Sequence, residues 1–141
     1  MGEILKVLLV EPGQYPKQIE VEHTLANLQK LVGGDIEPVY PWKEPVCIVC
    51  NDEGKLNGSP LNRPLEDYDI LAGSFFICGL GKGDFCSLTP EQMQRYEEKY
   101  HDPQWFFQTP WGISSRSCTP EQYRQLDQIC RRHTKPKREE R

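Results

Sequence analysis

Two apolar runs, residues 46–50 and 70–78, bracket a polar excursion at 51–69. Short runs without polar alternation read as strands covered on both faces. The excursion is broken by Gly58, Pro60 and Pro64, as a surface loop is. Any fold for this chain must therefore flank two buried strands with others and cover both sides of the sheet.

The flanking elements can be read in order. Residues 4–10 are apolar on both alternating faces except at Lys6, and predict a central strand. Pro12 and Gly13 break it. Residues 17–22 alternate as a half-exposed strand that can close a hairpin with the first. After Thr24, Leu25, Leu28, Leu31 and Val32 recur at helical spacing, and Gly33 and Gly34 stop the helix. Residues 35–40 predict an edge strand or a bulge, because Pro38 lacks an amide donor. Residues 51–55 form a turn, with Gly54 free to take positive φ, and 56–64 are irregular. Residues 70–78 are expected as one long strand with a bulge at Gly73, and 85–87 as a short one.

Two helix starts use the same grammar. Thr89 and Thr119 are N-caps, Pro90 and Pro120 take the first helical position, and Gln92 and Gln122 complete capping boxes. The first helix puts Met93, Tyr96 and Tyr100 on one face; the second puts Tyr123, Leu126, Ile129 and Cys130 on one face. Between them, Trp105, Phe106, Phe107 and Trp111 are expected to plug the sheet or a partner surface. The expected fold is α+β: a mainly antiparallel sheet of about five or six strands, packed by one short N-terminal helix and two C-terminal helices. The expected divisions are a core domain at 1–107, a helical appendage at 108–133 and a basic disordered tail at 134–141.

Charge narrows the function. The chain carries 17 Lys and Arg against 21 Asp and Glu, and the basic residues crowd into 131–141. The body before them is strongly acidic, which argues against binding duplex nucleic acid. No apolar run approaches the roughly 18 residues of a membrane span. The start leads directly into a strand-like run without a basic leader segment, which predicts a cytoplasmic protein.

The six cysteines lie within apolar patterns and are expected as reduced thiols acting as small hydrophobes. Cys47 and Cys50 have knuckle spacing, but residues three apart on a strand point to opposite faces. Whether Cys47, Cys50, Cys78 and Cys86 bind metal is not decided by spacing, and no cofactor is implied. Gly79, Gly81 and Gly83 with Lys82 could approach a phosphate, yet they match neither the Walker nor the dinucleotide pattern. Tyr40, Trp42, Asn51, Asn62, Arg63 and Lys82 form the candidate ligand set: aromatics to stack on a base, polar groups for amides and phosphates. His23, His101 and His133 have no nucleophile near them in sequence, and the chain reads as non-enzymatic.

Motifs in order at 10–13, 25–34, 36–41, 50–55, 60–63, 69–79 and 87–92 resemble the domain-of-unknown-function 3846 family. They include Val10-Glu11-Pro12-Gly13 and Pro60-Leu61-Asn62-Arg63. The resemblance implies a small protein of phages, plasmids or conjugative elements, acting in a bacterial host cell. It brings no catalytic residues. The first expectation is a binding protein that sequesters a nucleotide-like immune signal. The alternative is a protein-interaction module that blocks a host or plasmid factor, using residues 105–111 and the last helix. A homo-oligomer is compatible with aromatics concentrated near one end.

Overall fold

The structure, a computed structural model, describes residues 3–66 and 69–139, with side chains described as far as Arg131. In chain order the first elements are β1 (Ile4–Val10), β2 (Lys17–Glu22), α1 (Leu25–Val32), β3 (Ile36–Val39) and β4 (Val46–Asn51). Then come β5 (Leu61–Leu65), β6 (Asp69–Ala72), β7 (Phe75–Gly81), β8 (Asp84–Cys86) and α2 (Pro90–Lys99). A hairpin, β9 (Gln104–Thr109) and β10 (Gly112–Ser117), precedes α3 (Pro120–Glu139).

The main sheet runs β2-β1-β7-β4-β3, with β8 paired to β7, and every pairing is antiparallel. The expected α+β class holds. Strand alternation divides the core in two. Val7, Cys47, Val49 and Phe76 point to the face covered by Leu28 and Val32 of α1. Val10, Ile48, Phe75 and Ile77 point to the other, where Met93 and Tyr96 of α2 meet Leu65 of β5 and Leu71 of β6. Cys47 and Cys50 fall on opposite faces, as their spacing predicts. The hairpin of β1 and β2 forms, and Pro38 lies in the edge strand β3.

Local signals place the helix ends. Thr24 Oγ1 accepts from the Asn27 amide at 3.2 Å, and Gly33 ends α1 at a φ of +81°. The Thr89 and Gln92 capping box closes with bonds of 3.1 and 3.0 Å. Thr119 and Gln122 repeat it at 3.1 and 2.9 Å.

Four expectations change. Residues 70–78 are two strands, because Gly73 adopts a φ of +76° and its amide bonds Pro60 O at 2.7 Å. That corner sends the chain from the β5–β6 pair into the main sheet. Part of the irregular stretch is the strand β5, and the bulge falls at Asn62 rather than Gly73. Gly54 is not among the positive-φ glycines; a Cβ there would stand 2.8 Å from Ala72 O, so close approach is what requires glycine. Residues 104–117 form a hairpin, so the division expected at 107 falls inside β9. The last helix, α3, continues through Glu139, and of the residues expected as a tail 140 and 141 lie outside the described residues. No helix among the described residues is long and apolar enough to cross a membrane.

Candidate binding groove

The β5–β6 pair turns one side inward and one outward. Leu65 and Leu71 enter the core, while Pro64 and Ile70, one residue along each strand, line a surface cavity. The β9–β10 hairpin alternates in the same way. Trp105 packs edge-on against Tyr123 of α3, with ring centroids 5.3 Å apart at 77°. Tyr123 in turn lies so close to Gly13, at a φ of +74°, that an added Cβ would fall 2.4 Å from its ring. On the opposite face of the hairpin, Phe106 and Ile113 turn toward Pro64 and Ile70.

The wedge between the two strand pairs is a cavity of about 610 Å³. A second cavity of about 370 Å³ continues from it around Lys55, Asp69 and Ile70, over a floor of Cys50, Leu65 and Leu71. The two adjoin at Lys55, Asp69 and Ile70: the first lies on the outer side of β5–β6, the second on the inner side, where Leu65 and Leu71 meet Val39 and Cys50.

Charge decorates the rim. Lys55 bonds Asp69 and holds that carboxyl below the usual carboxylate range. Trp42 Nε1 donates to Glu66 at 2.9 Å and Lys99 stands 3.2 Å from the same oxygen, and both keep Glu66 ionised. Burial pushes the Cys50 thiol up to about 11, with the negative charges of Glu37, Asp52 and Asp69 adding to the shift. The thiol on the groove floor is therefore neutral and unreactive at neutral pH.

The six residues selected from sequence are scattered. Asn62 is fully buried, and its Nδ2 donates to Val10 O at 3.0 Å and Gly73 O at 2.8 Å. Arg63 is also buried; Nε donates to Tyr100 O at 3.0 Å and a terminal nitrogen to Gln14 O at 2.7 Å. Asn51 builds a turn, donating to Val32 O and accepting from the Glu53 amide. Trp42 is half-buried against Tyr96, and Tyr40 is 60 % exposed after β3. Lys82 and Gly83, both at positive φ, form the two-residue turn of the β7–β8 hairpin. The glycine loop is thus a tight turn with no helix behind it to receive a phosphate. Lys82 and Asn51 lie at opposite ends of the sheet, about 20 Å apart along β4. The fold joins Asn62 to Arg63, at 3.0 Å, but gathers the six into no common site.

Of the groove residues, Phe106 is among the aromatics that sequence assigns to the sheet or a partner surface, whereas Ile113 and the outward role of Ile70 were not singled out. One signal was present: Pro110 and Gly112 stand between two short runs of strand-like residues, the punctuation of a hairpin. Among the described residues, no group of three His, Cys, Asp or Glu side chains is placed to hold a metal ion.

A family described as a domain of unknown function (DUF3846) matches residues 5–101. The match takes in the main sheet, α1, β5–β6 and α2, and stops short of the β9–β10 hairpin and α3. No curated protein and no solved structure matches the chain. With more than half of its 141 residues matched, the chain belongs to the domain-of-unknown-function 3846 family.

Proposed function

We propose that the chain is a non-enzymatic binding protein whose target is another protein, engaged through the β9–β10 hairpin and the groove beside it. One observation carries this reading. Trp111, at the hairpin tip, is 92 % exposed, and Ile113 beside it is 50 % exposed. A tryptophan displayed on a tight turn is the residue type that anchors protein interfaces, because it covers a large area at low entropic cost. The hairpin is also a sheet of only two strands among the described residues, so its outer edges carry backbone groups open to pairing. In the mobile-element setting that the resemblance implies, the target would be a host or plasmid factor met in the cytoplasm, and occupancy would block it. The nucleotide reading draws no support from the geometry, since Asn62 and Arg63 spend their polar groups on their own backbone.

Site-specific photo-crosslinking tests this. A benzophenone side chain placed at Trp111 should give a discrete protein adduct in cells expressing the chain. The same group at Leu25, an exposed apolar position on α1, should not. Adducts of equal yield at both positions, or none at 111, would remove the hairpin from any binding role.

A further inference from the structure

The groove says more about the partner than the hairpin tip does. Its floor is apolar, with Pro64, Ile70 and Phe106 in one cavity and Leu65 and Leu71 in the next. Its shape is elongated, because the second cavity adjoins the first across Lys55, Asp69 and Ile70 and continues round β6. It lies between strand pairs that approach each other at β5 and β9 without hydrogen-bonding into one sheet. Such a wedge suits an extended chain, whose alternate side chains enter the floor while its backbone runs past unpaired edges.

The rim gives the sign of charge. Asp69 is paired to Lys55 and Glu66 to Lys99. Glu37, Asp52 and Glu53 line the second cavity, are exposed, and make no ion pair among the described residues. Lys55, the one cation among the described residues lining that cavity, is already engaged by Asp69. An apolar floor beside three uncompensated carboxylates is complementary to a segment carrying both apolar side chains and Lys or Arg.

We infer that the groove passing round β6 takes an extended, cationic segment of a partner protein, with apolar side chains on Pro64, Ile70 and Phe106 on the outer side and basic heads against Glu37, Asp52 and Glu53 where the groove opens toward β3 and β4. The inference rests on the protein-binding reading above and specifies its chemistry. A second copy of this chain, whose own end is basic, is the competing occupant.

Fluorescence anisotropy with the whole chain and three labelled peptides of about ten residues decides it. The peptides alternate Leu with Lys, Leu with Glu, and Leu with Ser. The Lys peptide should bind, and salt should weaken it. The triple variant Glu37→Gln, Asp52→Asn, Glu53→Gln should weaken it about tenfold. A control triple elsewhere, Glu3→Gln, Glu20→Gln, Glu91→Gln, should leave it unchanged. Thermal melting of both variants checks that each is folded. Equal binding of the Glu or Ser peptide overturns the inference. So does equal weakening by both triples, which would mean general attraction to an acidic body. Sedimentation of the chain alone supplies the remaining arm: a dimer that the Lys peptide dissociates would assign the groove to a second copy and overturn the outside partner. Adducts at Trp111 without a peptide preference would sink the groove chemistry alone, whereas failure of both would sink the binding reading itself.

Discussion

Arg63 shows how a residue type can mislead when its surroundings are unknown. An arginine next to an asparagine, among prolines and glycines, looks like ligand chemistry in a loop. In the fold it is a cation buried without a carboxylate at ion-pair distance among the described residues. Desolvation lowers its pKa to about 10, so it still carries its proton at neutral pH. Its charge is met by carbonyl oxygens of Gln14, Asn62 and Tyr100 and by Asn62 Oδ1. These come from the β1–β2 turn, β5 and the end of α2, so one side chain ties three distant segments. Arg63→Ala would leave the Gln14 and Tyr100 carbonyls without this donor and open a void, at a cost of about 3 kcal/mol. Arg63→Lys should recover little, because an ammonium cannot reproduce the planar fork. Urea denaturation measures both; a loss under about 0.5 kcal/mol for the alanine variant would mean that water replaces the guanidinium.

At the scale of elements, what sequence made legible was local. Thr24, Thr89 and Thr119 carry their helix starts within four residues, and the capping bonds form as their spacing predicts. The alternation of residues 46–50 sends Cys47 and Cys50 to opposite faces without any knowledge of neighbours. Gly73 was read as a bulge because a bulge and a corner leave the same mark in an apolar run. Only the partner strands distinguish them, and here those are β5 on one side and β1 and β4 on the other. The corner makes its own test. At a φ of +76°, Gly73→Ala should cost about 1–2 kcal/mol from backbone strain, with Ser59 at 3.3 Å adding crowding. A bulge with ordinary φ would tolerate alanine, so a variant as stable as the parent in thermal melts would refute the corner.

The whole molecule divides into a thickly covered sheet and a lightly braced hairpin. The sheet is buried on both sides, by α1 on one and by α2 with β5–β6 on the other. The groove arises where parts of the chain about 40 residues apart, β5–β6 and β9–β10, face each other. No local pattern encodes that meeting, so the β5–β6 wall of the site was out of reach of sequence, while the aromatic stretch 105–111 and the fold class were not. The same division predicts the order of opening. Backbone amides of β9 and β10 should exchange with deuterium well before those of β1, β4 and β7, because a two-stranded ribbon has little burial to hold it. Equal protection across all five strands would show that the hairpin and the core open together.

The contact between Gly13 and Tyr123 has a consequence for how the molecule is made. One partner lies in the first turn of the chain and the other in its last helix. A chain is synthesised from its N-terminus, so the residues matched to the family are all joined before Tyr123 is added. The residues of the sheet are therefore all in place in the chain while Trp105 still lacks the ring it rests on. The hairpin proposed to meet a partner is braced only after every strand of the main sheet has been made.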